Sequence, residues 1–225
     1  MYLRIPGLLT VDNLKLVDEL IAEGDFTDGA ETTGEPTKAV KSNQQLDINN
    51  HPRRDEFLRM VTQQVNNNPV IRSTAFPRKM TFPLISKYRV GDAYGWHVDN
   101  PIMFALGNPI RSDLACTVFL NNSDQYDGGE LLLRTSSGDM KAKLERGDAI
   151  LYPATSRHQV TEVTRGERLA IVFWVQSMIA DPSKREILHE LGMAYDQVMR
   201  ENPKSEALQS IQKAQANLVR RWAEM

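Results

Sequence analysis

The chain has 225 residues, 41% of them hydrophobic and 25% charged, which is the balance of a globular chain long enough to bury a core, as one domain or one domain with appendages. A formal net charge of −2 gives no reason to expect a nucleic-acid partner, and no apolar run approaches the ~18–20 residues of a membrane span. The single cysteine, Cys116, excludes an internal disulfide or a thiolate metal cage and suits a reducing cytoplasm.

No basic segment followed by a long apolar stretch opens the chain, so no signal peptide is expected. Residues 3–9 read as a short strand broken by Pro6 and Gly7. Thr10 suits a helix N-cap, and Leu14, Val17, Leu20 and Ile21 recur at helical spacing, which predicts an amphipathic helix over 11–23 closed by Gly24. Residues 25–44, rich in Gly, Thr, Asp and Pro, read as a loop with a strand near Ala39–Val40. Connections of that length are often functional. His51 reads as a cap or solvent residue beside Pro52, which suits the first position of a second helix. Phe57, Met60, Val61 and Val65 give that helix its inner face, and Asn66, Asn67, Asn68 and Pro69 predict its end. Two helices placed ahead of the strands would cover one face of a sheet.

From Lys79 the period shortens. The runs PLISKYRV, LACTVFLNN, GGELLLR, MKAKLE, DAILYP and LAIVFWVQS alternate with turn signals, which predicts a barrel or sandwich of short strands. Cys116 lies inside one run and reads as core, while Gly128, Gly129 and the Gly147-Asp148 pair read as turns. Pro182 opens a helix with Ile187, Leu191, Tyr195 and Val198 on one face, on which His189 reads as an interfacial residue. After Pro203, Leu208, Ile211, Gln215, Leu218 and Trp222 mark a last helix, able to pack on the barrel or to make a homodimer contact. The expected fold is mainly β with flanking helices: a helical support region over 1–78, a β domain over 79–178 and a helical extension over 179–225.

The chemistry-bearing residues fall in the β region. In WHVDN, His97 and Asp99 are two apart and on a strand would share a face. One such pair is weak, but His158 follows about sixty residues on, before the run LAIVFW, and Arg168 heads that run. Two imidazoles and one carboxylate match the facial triad of non-haem iron(II) oxygenases, and an arginine fork matches a carboxylate. A cupin-like metal barrel, a zinc hydrolase and a non-catalytic protein acting through its final helices are the rival readings. Cupins favour H-x-H with a later Glu, and a zinc hydrolase leaves Arg168 without a task. Trp96 beside the first ligand reads as packing.

The order KYRVGDAYGWHVDN, VFLNN, GGEL, RGDAILYPATSRHQVTEVTRGERLAIVFW resembles the Fe(II)/2-oxoglutarate dioxygenases of the prolyl-hydroxylase type, the bacterial PKHD-type hydroxylases above all, and the flanks and length resemble them too. The resemblance implies a double-stranded β-helix (jelly-roll) core, Fe(2+), 2-oxoglutarate, dioxygen as oxidant and an L-ascorbate requirement. It assigns iron to His97, Asp99 and His158, and 2-oxoglutarate to Arg168 and Tyr88; Tyr94 would line the substrate side. Some prolyl hydroxylases place a tyrosine where this chain has Phe119, so the second contact to the distal carboxylate passes to another hydroxyl, with Thr155 and Tyr88 as candidates. Residues 25–50 and 100–113 would be loops over the mouth that choose a prolyl, lysyl or small-molecule substrate.

Overall fold

The structure is a computed structural model that describes residues 1–32, 37–105 and 107–224. Its centre is an eight-stranded antiparallel sheet in the order Leu3–Ile5, Ala149–Pro153, Leu114–Phe119, Arg168–Ser177, Leu84–Tyr88, Gln44–Leu46, Phe26–Asp28, with Pro77–Met80 pairing the far end of Arg168–Ser177. A second sheet, of five strands, runs Gly138–Ala142, Leu131–Thr135, His158–Val160, Ala93–His97, Lys41–Ser42. The two sheets face each other across a shared core that includes Ala115, Phe119, Ile150, Leu131, Leu133 and Val160.

The helices cover the other face of the large sheet. Val11–Glu23 starts at a reciprocal cap between Thr10 and Asn13, which satisfies two backbone donors the helix leaves open. It buries Val17 and Leu20, and Arg54–Asn67 buries Phe57, Met60, Val61 and Val65. These side chains meet Ile85, Cys116, Val118, Ile171 and Phe173 from the sheet. Each large apolar side chain sealed this way stabilises the fold by about 1.5–3 kcal/mol. Leu114–Phe119 is buried at all six positions because it has the helices on one side and the second sheet on the other.

Several local readings need correction. The second helix begins at Arg54 rather than Pro52, because His51 and Arg53 make the entry turn. Of the two roles read for His51, the structure gives the cap and not the solvated one: it is 7% exposed and its Nδ1 accepts the Arg53 backbone N–H at 3.1 Å. Asn68-Pro69 does not simply stop the chain. Asn68 closes one helix and caps the next, Pro69–Ala75, by accepting from the Ile71 N–H. Residues 37–40 form a 3-10 turn rather than a strand, and the strands begin at Lys41. The N-terminal region is therefore more than helical, since Leu3–Ile5, Phe26–Asp28, Lys41–Ser42 and Gln44–Leu46 extend the two sheets. The C-terminal helices Pro182–Glu201 and Glu206–Trp222 pack on each other; buried Arg185 ties the first to the segment that leaves the sheet by donating to the carbonyls of Ile179 and Ala180.

Candidate active site

His97 is the last residue of Ala93–His97 and His158 the first of His158–Val160. Antiparallel pairing sets them directly opposite, with ring centroids 4.2 Å apart. Asp99 lies two residues beyond the strand end, and its Oδ1 is 3.8 Å from His158 Nε2. One ligand atom from each of the three lies within 4.8 Å of the others. Each imidazole has its Nδ1 against a backbone carbonyl: His97 on Gly95 at 2.7 Å and His158 on Ser156 at 3.0 Å. Those bonds favour the tautomer that leaves Nε2 free to bind a metal. Tyr94 stacks on the His97 ring at 3.6 Å.

The electrostatics suit a cation. Burial, and then the nearby His158, pull His97 down to about 3, so it is neutral at any ordinary pH, as a metal ligand must be. Burial pushes Asp99 the other way, above the usual carboxylate range. The Trp174 indole favours the ionised acid, but no hydrogen bond closes, and both Trp174 Nε1 and Asp99 Oδ2 are buried without a partner. A divalent ion among these atoms would satisfy the carboxylate and repay its desolvation.

Arg168 opens onto the same cavity, whose volume is about 310 Å³. It is 2% exposed, and among the described residues no carboxylate lies within ion-pair distance of it. Its guanidinium lies between the rings of Tyr88, at 5.1 Å, and Phe119, at 5.6 Å, and its Nε has no partner. A buried, uncompensated cation is costly, and a carboxylate is the group that relieves it. Gly129 makes the site tight: at φ 64, a Cβ there would meet Arg168 Cδ at 3.0 Å, so this glycine is more than a turn former.

Comparison with known proteins now decides the class. Residues 83–176 match the 2OG-Fe(II) oxygenase superfamily. A PKHD-type hydroxylase of Pseudomonas putida (strain W619) is 39% identical over 227 aligned residues, covering all of both chains. One from Synechococcus sp. (strain JA-2-3B'a(2-13)) is 38% identical, again over the whole of both. The chain belongs to the PKHD-type hydroxylases. It is therefore an iron(II)- and 2-oxoglutarate-dependent dioxygenase whose substrate is unidentified, and the cupin-like and zinc-hydrolase readings fall away. The fold agrees. A prolyl-4-hydroxylase from Pseudomonas putida superposes with a TM-score of 0.58 at 20% identity, over 78% of this chain and 92% of that one. HygX from Streptomyces hygroscopicus, solved with nickel, 2-oxoglutarate and hygromycin B bound, gives 0.54 at 12% identity over 78% and 82%. The hydroxylase thus has the double-stranded β-helix core with flanking helices.

The predicted residues His97, Asp99, His158, Arg168, Tyr88 and Tyr94 all line the one cavity. Asp99 reaches it from beyond the strand rather than from within it. Thr155 does not: it is exposed in the turn before His158. The hydroxyls that do line the cavity, besides those of Tyr88 and Tyr94, include Thr117 and Tyr152. Tyr152 sits edge-on to His158 at 5.3 Å, and burial and Asp99 hold its phenol well above the ordinary range. Tyr126 faces Arg168 with its hydroxyl buried and unpartnered. Trp174 had a sequence signal, being six residues past Arg168 and so on the same strand face. Trp96 packs as expected, half-buried against the guanidinium groups of Arg134 and Arg157.

Proposed function

We propose that His97, Asp99 and His158 hold the iron(II) and that Arg168, with Tyr88, binds 2-oxoglutarate in a hydroxylase for a prolyl- or lysyl-type group or a small molecule. The observation that carries this is the guanidinium of Arg168, buried without a counter-charge in the cavity that holds the three ligands. With iron(II) bound, 2-oxoglutarate and dioxygen supply the oxidation, yielding succinate, carbon dioxide and a hydroxylated substrate.

The chain's own residues set the terms. The carbonyls of Gly95 and Ser156 fix the two rings, so the metal meets a preformed face. Arg168 grips the distal carboxylate and thereby orients the keto-acid end toward the ligands. Thr117 and Tyr152 line the same cavity and take over the hydroxyl contact that Phe119 lacks, while Tyr126 lies near Arg168. Burial pushes Tyr88 up to about 12, so it serves as a neutral hydrogen-bond donor. The apolar walls exclude water from the reacting centre.

Residues 79–178 form the catalytic unit in this reading, with 1–78 and 179–225 as support. L-ascorbate would keep the iron reduced, a setting that fits a cytoplasmic enzyme whose single thiol is buried. A homodimer contact, where one forms, would run through the C-terminal helices, on which Ile187, Met193 and Met199 are exposed on different sides. The test is anaerobic addition of iron(II) and 2-oxoglutarate to the purified chain. A weak visible charge-transfer band should appear, followed by iron-dependent succinate release in air; no band and no succinate would refute the reading.

A further inference from the structure

The segment from Lys41 to Leu46 crosses from one sheet to the other. Lys41 pairs with Tyr94 in the five-stranded sheet, and Gln45 pairs with Ser86 in the eight-stranded sheet. Asn43 spans the gap and belongs to neither strand. Asn43 and Gln45 both line the cavity, while Gln44 between them does not. They are 5% and 6% exposed, yet neither amide atom of Asn43 nor Oε1 of Gln45 has a hydrogen-bond partner. Asn43 faces the Tyr88 phenol without closing a bond to it. Leaving a buried amide unpaired costs about 1–3 kcal/mol, so two side by side in a cavity wall point to a ligand that completes them.

The rest of the cavity narrows what that ligand is. Phe82, Met103 and Phe104 add an apolar wall. Asp99 is the one acid among the described lining residues, and the reading above gives it to the metal. Arg168 is likewise engaged by the co-substrate. Lys41 donates to the Gly29 carbonyl at 2.7 Å and faces Asp28, so its charge is already answered within the chain. What is left for the primary substrate is polar but uncharged, and within it the two buried carboxamides without partners, Asn43 and Gln45, stand beside hydrocarbon.

We propose that Asn43 and Gln45 are the specificity-determining residues of this hydroxylase, and that they read a neutral amide group of the substrate. The Asn43 NH₂ donates to its carbonyl and the Gln45 oxygen accepts from its N–H, while Phe82, Met103 and Phe104 hold the adjoining hydrocarbon. An anion or a zwitterion would bury charge against uncharged amides and is rejected. A site built around such hydrogen bonds discriminates strongly, because a ligand lacking the partner leaves both sides unpaired. This inference rests on the oxygenase reading of the same cavity.

The test uses the full chain loaded with manganese(II) and 2-oxoglutarate, with N-acetyl-L-prolinamide as the neutral probe and N-acetyl-L-proline as the anionic one. Binding is read from the metal-induced relaxation of the pyrrolidine ring protons, which all the probes share. The wild-type chain should bind the amide about 10-fold or more tighter than the acid, and Asn43→Ala or Gln45→Ala should weaken the amide about 10-fold. Gln45→Glu should lose the neutral amide and gain protonated L-prolinamide, a gain that an unfolded variant cannot show. Equal binding of acid and amide, no relaxation of either probe, or variants that bind the amide as the wild type does would overturn the proposal. Calorimetry on the same wild-type sample follows 2-oxoglutarate itself. Failure of that uptake would strike the functional reading instead.

Discussion

The two faces of Arg168–Ser177 are one strand put to two uses. Toward the helices it turns Ile171, Phe173 and Val175, each with no exposed surface and packed among other apolar side chains. Toward the second sheet it turns Arg168, Val172 and Trp174, which line the cavity, and two of these carry buried nitrogens without partners. The first face gains from every contact it closes. The second holds a charge and an indole N–H in a place where water is scarce and, among the described residues, nothing completes them. A period of two lets the same ten residues do both, and it keeps the costly polar groups on a backbone that the apolar face makes rigid.

That contrast can be broken from either side. The largest effect should come from His158→Ala: iron-dependent succinate release falls to background, while urea unfolding of the metal-free chain shifts by no more than about 1 kcal/mol. Phe173→Ala on the opposite face should do the reverse, costing about 3–5 kcal/mol of stability, with stoichiometric metal binding retained by the molecules that remain folded. Arg168→Ala should weaken 2-oxoglutarate by about 2–5 kcal/mol in equilibrium titration, far more than it weakens iron, because it removes one partner of a buried charged pair. Trp174→Phe keeps the ring and removes the N–H beside Asp99, so metal affinity should drop about 10-fold with little change in melting temperature. Smallest of all, Cys116 should resist thiol reagents in the native chain and react only on unfolding, since burial pushes its thiol well above the ordinary range. Rapid native-state labelling would show that the apolar face is looser than described.

Much of the site was legible because its residues punctuate strands. His97, Asp99, His158 and Arg168 stand at or just past strand ends, where a polar residue interrupts an apolar run, and their order along the chain is informative. Asn43 and Gln45 were not, because a Thr- and Gly-rich stretch reads as loop; its strands join the sheets by pairing partly within the stretch and partly with strands about forty to fifty residues away. Residues 100–113 were expected as a loop over the mouth, whereas Ile102–Ala105 and Asn108–Arg111 form a hairpin that brings Met103 to the cavity. Pro69–Ala75 was missed because Asn-Pro serves equally as the end of one helix and the start of another.

The most direct measurement is a crystal structure of the chain grown with manganese(II) and 2-oxoglutarate, phased to show the metal by its anomalous signal. The peak should lie at ligand distance from His97 Nε2, Asp99 and His158 Nε2, with the distal carboxylate of the keto acid on Arg168. A peak elsewhere, or a keto acid that leaves Arg168 without an anion, would contradict the assignment of this cavity.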